Sequence, residues 1–201
     1  MPSIHARHST DSNGKAKSQF FIGQHIVKQP ANGVIALVGS GDGLYRHVEC
    51  YRSCNVSGMH YIYERDEATY FDLLRYKNKQ YPTNNEIIIR HGDLMSHDFE
   101  KEPVGCVDFD SCDPFERVAR KEGLTIEGLF RNNISVVALT FTSRAGVPNS
   151  HLARLVHSKE HAQADITLDV LCRLFPQYKY ELLRYRGVGI TPMYTIVGTL
   201  R

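Results

Sequence analysis

The sequence lacks long apolar runs, paired cysteine motifs and a large excess of charge of either sign. No apolar stretch reaches the roughly 18 residues that a membrane-spanning helix needs, and the polar N-terminus does not resemble a signal peptide. The five cysteines include no C-x-x-C pair, which favours reduced thiols. We therefore expect a soluble, cytoplasmic protein that binds no metal and contacts no membrane.

The net charge bears on the class of partner, and the chain length bears on the number of domains. Lys and Arg number 24 and Asp and Glu 22, giving a formal net charge of +2, whereas dedicated nucleic-acid binders usually carry a much stronger basic patch. A chain of 201 residues that is 42% hydrophobic suits one ordinary globular domain. Residues 1–17 are polar and rich in turn formers, so we predict a mobile N-terminal arm followed by one domain over residues 18–201.

Apolar segments alternate with helical stretches through this domain. Strands are predicted at 34–38, 60–63, 86–90, 104–109 and 135–141, and helices at 18–29, 44–54, 67–77, 115–121 and 150–175. The C-terminal part departs from this alternation. Its segments 180–185 and 193–200 are joined by a glycine-rich connection that favours a hairpin. We expect an α/β fold with a doubly wound, mostly parallel seven-stranded sheet and a C-terminal antiparallel hairpin.

A glycine-rich segment follows directly after the first predicted strand. It reads Gly39, Ser40, Gly41, Asp42, Gly43. Glycines let the backbone turn sharply and let a ligand approach closely. The spacing G-x-G-x-G, together with the terminal hairpin, resembles the class I (Rossmann-like) S-adenosylmethionine-dependent methyltransferases over about residues 18–201, and it fits the G-x-G-x-x-G of nicotinamide-binding proteins less well. The resemblance implies S-adenosylmethionine as cofactor, although Leu37 stands where that family usually has an acidic residue.

Two acidic residues complete the predicted cofactor site. Glu64 stands about twenty residues beyond the glycine loop, where a carboxylate can accept hydrogen bonds from both hydroxyls of a ribose. Asp93 follows the third strand, and the resemblance implies that it contacts the adenine amine, since an ionised Asp only accepts and an amine donates. Arg65 and Leu94, the next residues in each case, are counted with the cofactor site. A carboxylate at Glu64 would also suit NAD.

The segment that leaves the fourth strand is the candidate for catalysis. Asp108, Asp110 and Asp113 stand close together in sequence, and we expect crowding to raise at least one carboxyl pKa towards the working range of a base. Asp113, Pro114 and Phe115 resemble a shortened form of the Asp-Pro-Pro-Tyr motif of amine-directed nucleic-acid methyltransferases, with one proline missing and Phe in place of Tyr. The resemblance implies Asp110, Asp113, Pro114 and Phe115 as catalytic residues.

The sequence leaves three functions open. The first is methyl transfer to a nitrogen or oxygen acceptor, which Asp110 or Asp113 would orient and deprotonate; nucleic acid is one acceptor class, and neither the acceptor nor the oligomeric state is fixed. The second follows from residues 110–114, which resemble the D-S-S-D-P signature of aminopropyltransferases such as spermidine synthase, although the chain has no room for their N-terminal β-domain. The third is a binding module of the same fold without catalytic turnover.

Overall fold

The fold is described by a computed structural model of the chain. It covers residues 13–29, 33–37, 48–111, 113–132, 134–143, 159–186 and 192–201. The helices are α1 (Asn13–Ile26), α2 (residues 48–53 of the described chain), α3 (Glu67–Gln80), α4 (Phe115–Arg131) and α5 (Lys159–Leu174), with a 3₁₀ turn at Leu94–Ser96. The strands are β1 (Gly33–Leu37), β2 (Met59–Glu64), β3 (Ile87–His91), β4 (Cys106–Asp110), β5 (Val136–Thr142), β6 (Tyr178–Arg186) and β7 (Pro192–Leu200).

The strands form one sheet in the order β3-β2-β1-β4-β5-β7-β6. Strands β1 to β5 pair in parallel, whereas β7 runs antiparallel to both β5 and β6. Parallel neighbours need a crossover connection, which helices usually supply. The α/β class expected from the alternating sequence is confirmed, and the last two strands pair antiparallel as predicted.

Each face of the sheet has its own helices, because successive side chains of a strand point to opposite faces. One face packs against α4 and α5 in an apolar cluster that includes Val107, Phe130 and Leu139. The other face packs against α1, α2 and α3, whose buried residues include Ile22 and Leu73. Strand β5 is buried along its whole length, as a central strand covered on both faces must be.

Helix α4 extends beyond its predicted end at residue 121. The chain kinks at Glu122, where φ is −130° and ψ is 23°, and then continues as a helix to Arg131. Ile126, Leu129 and Phe130 of this continuation are buried, and their spacing places them on one side of the helix. The free energy gained by burying this apolar side therefore offsets the cost of the kink at Glu122.

Helix α1 begins at Asn13, five residues before the predicted start of the first helix at residue 18. Its first turn packs against the end of β6, since a Cβ added at Gly14 would lie 1.7 Å from the carbonyl oxygen of Arg186. Ser18 forms a buried hydrogen bond of 2.6 Å with Thr195 of β7. The polar composition alone predicted an arm, but these contacts with strands distant in sequence hold the segment in the fold. Residues 1–12 lie outside the described residues.

The close approach at Gly14 predicts a large effect of one added methyl group. We expect Gly14→Ala to displace the first turn of α1 and to lower the free energy of unfolding by about 1–3 kcal/mol, as overpacking does. The matched control is Gly123→Ala in α4, where nothing lies within 4 Å of the added Cβ. Alanine favours a helix over glycine there, so the control should not lose stability. Equal urea denaturation midpoints for the two variants would contradict this packing of α1 on β6.

Candidate functional site

The order of strands reverses between β1 and β4, and open α/β sheets bind ligands beyond the carboxyl ends of the strands at such a point. Leu37, the last residue of β1, is in register with Tyr63 of β2 and with Phe109 of β4. Glu64 and Asp110 come next on these two strands. Because Tyr63 and Phe109 belong to the cluster under α4 and α5, Glu64 and Asp110 lie on the opposite face, under α1 to α3. The two carboxylates flank the end of β1.

The predicted glycine loop lies outside the described residues. This applies to Gly39, Ser40, Gly41, Asp42 and Gly43, and also to the side chain of Leu37. Their part in cofactor binding stays a prediction. In the sequence, Leu37 at the end of β1 precedes Gly39 by two residues.

Hydrogen bonds with the following turn orient the Glu64 side chain. Its Oε1 accepts a hydrogen bond of 2.8 Å from the backbone N–H of Asp66. Asp66 in turn caps α3 by accepting from the backbone N–H of Thr69. The Glu64 carbonyl accepts from the N–H of Gly92, beyond β3, at 2.9 Å. A carboxylate oxygen can accept more than one hydrogen bond, so Glu64 in this orientation can also accept from the hydroxyls of a ligand.

Asp93 begins the turn that follows β3. Its Oδ1 accepts from the backbone N–H of Met95 at 2.8 Å, and its Oδ2 is paired with Arg65. Arg65 also lies 3.2 Å from Glu122 of α4. Burial alone would lower the pKa of Arg65, but the charges of Glu122 and Asp93 outweigh it and hold the pKa above its ordinary value. The predicted cofactor residues Arg65 and Asp93 are thus brought together as an ion pair.

The neighbours of Asp93 fix the backbone of the turn. Gly92 has a φ of +134°, a conformation in the region that favours glycine. Leu94 is 1% exposed and belongs to the apolar cluster under α4 and α5. The Leu94 side chain therefore anchors the turn in the core, so only the backbone of Leu94 is available to contact a ligand.

A closed ring of hydrogen bonds supports this turn from the face under α4 and α5. Arg90 donates to the Tyr63 hydroxyl at 3.0 Å, and that hydroxyl lies 3.0 Å from Nδ1 of His97. Nε2 of His97 lies 2.7 Å from the carbonyl oxygen of Glu102, so in the neutral ring Nε2 donates and Nδ1 accepts. Arg90 closes the ring through two bonds of 2.5 Å to the Glu102 carboxylate, which lower the pKa of Glu102. No sequence motif indicated these four residues.

Each of the three aspartates around the end of β4 lies beside a donor, and the crowding expected between their carboxylates stays a prediction. The partners are Tyr51 for Asp108 at 2.5 Å, Lys15 for Asp110 at 2.7 Å and Arg117 for Asp113 at 3.4 Å. Burial, and then the charge of Asp108, raise the pKa of Tyr51 well above its ordinary value. Tyr51 therefore stays protonated as the donor to Asp108.

Asp110 lies beside α1 in a polar cluster that sequence reasoning missed. The side chains of Lys15 and Asp110 are 22% and 9% exposed. Burial, and then the charge of Asp110, raise the pKa of Tyr185 of β6 above the ordinary value. Hydrogen bonding of Tyr185 with Ser18 and Thr195 works in the opposite direction. Lys15 was assigned to the arm, and no local pattern predicts its contact with a strand so distant in sequence.

Pro114 and Phe115 form the start of α4. Pro114 occupies the N-cap position, with a φ of −64° and no side-chain hydrogen bond to the helix. Phe115 packs edge-to-face on Phe141 of β5, with ring centroids 5.3 Å apart. It also lines a small pocket between α4 and α5, together with Thr167 and Tyr194. The Phe115 ring is thus partly committed to the core, and its predicted stacking on a base stays a prediction.

Within the described part of the chain, no group of three or more His, Cys, Asp or Glu side chains is placed to hold a metal ion. None of the described helices combines the length and the apolar character needed to cross a membrane.

Solved structures with this arrangement identify the fold. The chain is similar to the methyltransferase domain of bacterial CtHen1-CN, with 13% identity, 94% of this chain and 100% of that chain covered, and a TM-score of 0.63. It is also similar to the O-methyltransferase from Bacillus cereus in complex with SAH, with 13% identity, 96% and 85% covered, and a TM-score of 0.58. A dimethyladenosine transferase from Plasmodium falciparum matches with 10% identity, 95% and 62% covered, and a TM-score of 0.56. No protein-family model and no curated protein matches the sequence. The chain has the class I methyltransferase fold.

The hydrogen-bonded ring beneath the Asp93 turn predicts a specific loss of stability. Tyr63 is 2% exposed, and Tyr63→Phe leaves Nδ1 of His97 without its donor inside the protein. We expect the free energy of unfolding to fall by about 1–3 kcal/mol, as for a buried polar group left unsatisfied. Urea denaturation measures this.

Tyr70→Phe in α3 is the matched control, since the Tyr70 hydroxyl makes no hydrogen bond within the described residues. An equal loss in both variants would show that the ring contributes nothing particular.

Proposed function

We propose that the protein is a methyltransferase that uses S-adenosylmethionine and acts on a nitrogen or oxygen atom of an acceptor. The observation that carries the proposal is the position of Glu64 and Asp110, on one face of the sheet and on either side of the end of β1. Neighbouring strands lie about 4.8 Å apart, so the Cα atoms of these two residues are separated by roughly 10 Å. A ligand held at the end of β1 would reach both carboxylates.

Two described residues fit the nucleoside part of this cofactor. Glu64 is oriented by the Asp66 N–H at the carboxyl edge and would accept from both ribose hydroxyls. Asp93 would accept a hydrogen bond from the adenine amine. Because Arg65 already pairs with Asp93, the amine would either share the carboxylate with Arg65 or displace Arg65. The loop at residues 39–43 would let the cofactor approach the backbone at the end of β1. The role given to this loop rests on the sequence.

The cofactor supplies a methyl group bound to a positively charged sulfur, so the protein mainly has to hold an acceptor in line with it. Positioning of this kind is equivalent to effective molarities of about 10⁵ M or more. Asp110 is better placed than Asp113 to receive the proton of the acceptor, because its side chain is 9% exposed at the strand end whereas that of Asp113 is 46% exposed. Pro114 and Phe115 border the same edge.

The solved structures support this cofactor and leave the acceptor class wide. The Bacillus cereus protein was crystallised with SAH, and a Streptomyces achromogenes O-methyltransferase was crystallised with SAM. The Plasmodium falciparum protein is named a dimethyladenosine transferase. We therefore keep nucleic acid, proteins and small molecules among the candidate acceptors.

Aminopropyl transfer to a diamine is less well supported. It would need the carboxylates of Asp110 and Asp113 to attract a cationic diamine. Lys15 and Arg117 already balance these two charges from within the chain. The remaining alternative, a binding module without turnover, would bind the cofactor and transfer nothing.

Cofactor binding is the first prediction of this proposal. We expect S-adenosylmethionine and S-adenosylhomocysteine to bind with micromolar dissociation constants in isothermal titration calorimetry. Glu64→Gln should weaken binding about 10- to 100-fold, since hydrogen bonds to a charged group contribute about 1.5–3 kcal/mol. Gly41→Arg should abolish it, because a large side chain would occupy the space that the glycine leaves for the ligand.

Glu127→Gln is the control, since Glu127 pairs with Arg131 on the surface of α4. A wild-type protein that binds neither compound would overturn the proposal.

Asp93 provides a second prediction at the same site. Asp93→Ala removes the acceptor for the adenine amine, so we expect the affinity for S-adenosylhomocysteine to fall about 5- to 20-fold. Asp98→Ala is matched to it, because Asp98 also caps a turn by accepting a backbone N–H, in its case from Lys101. The same calorimetry measures both. Equal losses would indicate that Asp93 only stabilises its turn.

A further inference from the structure

The ion pair between Lys15 and Asp110 differs from the other ion pairs of the described residues. Its Nζ and Oδ2 atoms are 2.7 Å apart, and its side chains are 22% and 9% exposed. In every other described pair between Lys or Arg and a carboxylate, both side chains are at least 27% exposed. Among these described pairs, this one is the most withdrawn from water, and it lies beside the end of β4.

Stability alone does not account for this pair. Removing two charges from water carries a desolvation penalty that often equals or exceeds their attraction, and apolar residues of similar size frequently serve as well. Other contacts already dock α1 on the sheet, namely Gly14 against the backbone of Arg186 and Ser18 against Thr195. The pair lies at the point where the sheet of this fold binds ligands, so a role in the reaction is the better explanation.

The balance of charge in the pair distinguishes between acceptor atoms. A nitrogen that attacks a sulfonium methyl becomes positively charged until it loses a proton, and a fixed ammonium group beside it opposes that charge. A hydroxyl oxygen loses its proton as the new bond forms and carries partial negative charge. The ammonium group of Lys15 would stabilise that oxygen, and the Asp110 carboxylate would receive the proton.

We propose that Lys15 and Asp110 together form the acceptor subsite and that the acceptor is a hydroxyl group, a proposal that rests on the proposed function. The hydroxyl oxygen forms a bond to the methyl carbon, and the carbon–sulfur bond breaks with its electron pair going to sulfur. The hydroxyl proton passes to Asp110 and then to solvent. The products are a methyl ether and neutral S-adenosylhomocysteine.

A cofactor analogue tests this electrostatic environment without knowledge of the acceptor. Sinefungin carries an amine on carbon in place of the methyl on sulfur, so at neutral pH it places a positive charge where the transferred methyl group would be. Isothermal titration calorimetry gives its affinity relative to S-adenosylhomocysteine, and this ratio cancels effects that are common to both ligands. The variants are Lys15→Met, Lys15→Arg and Asp110→Asn.

We expect the wild-type protein to bind sinefungin no more tightly than S-adenosylhomocysteine. Lys15→Met leaves the Asp110 charge unbalanced and should shift the ratio about tenfold towards sinefungin, whereas Asp110→Asn should shift it about tenfold the other way. Lys15→Arg keeps the charge and should keep the ratio. Binding of S-adenosylhomocysteine by each variant shows that it is folded.

The outcomes separate the two proposals. Ratios that do not change in Lys15→Met and Asp110→Asn would place the pair away from the acceptor and overturn this inference, while the proposed function stands. A wild-type preference for sinefungin of tenfold or more would also overturn it, because it would reveal a subsite that favours a cationic nitrogen. If the wild-type protein binds neither ligand, the proposed function itself fails.

Discussion

The register between β1 and its two neighbours is the constraint on which the candidate site depends. Side chains alternate along a strand, so a slip of one residue would move Glu64 or Asp110 to the other face of the sheet. The packing prevents such a slip, because Ile62 lies in the cluster with Leu73 of α3 and Tyr63 lies in the cluster under α4 and α5. Apolar packing on both faces thus determines where two carboxylates stand beside the end of β1.

The two faces of the sheet differ in the kind of residue that they bury. The face under α4 and α5 is rich in aromatic packing, as in the stacked rings of Phe130 and Phe175 at 4.2 Å. The face under α1 to α3 also buries polar groups, among them Asp108 with Tyr51 and Asp110 with Lys15. Buried polar groups are costly unless they are hydrogen-bonded or paired. Tyr51 of α2 and Lys15 of α1 supply these partners. Helix α1 is therefore part of the candidate site as well as of the fold.

The sequence predicted the sheet well because its signals are local. Continuous apolar runs mark strands buried on both faces, and each predicted parallel strand overlaps an observed one. The start of α1 and the continuation of α4 were missed, since both depend on packing against strands distant in sequence. Spacing indicated where Glu64, Asp93 and Asp110 lie. It could not indicate their partners, because Lys15, Arg65 and the ring through His97 and Glu102 are brought in by tertiary structure.

The aspartate-rich motif indicates where the candidate site lies, but it does not indicate which reaction takes place there. The segment from Asp110 to Phe115 resembles motifs of two transferase families, and both resemblances imply an amine as the accepting group. In the folded chain the carboxylates are balanced by Lys15 from α1 and by Arg117 one turn into α4. A paired carboxylate attracts a cation less, because the neighbouring positive charge opposes the approach. Under the proposed function, residues outside the motif would therefore select the acceptor, because the fold itself serves several acceptor chemistries.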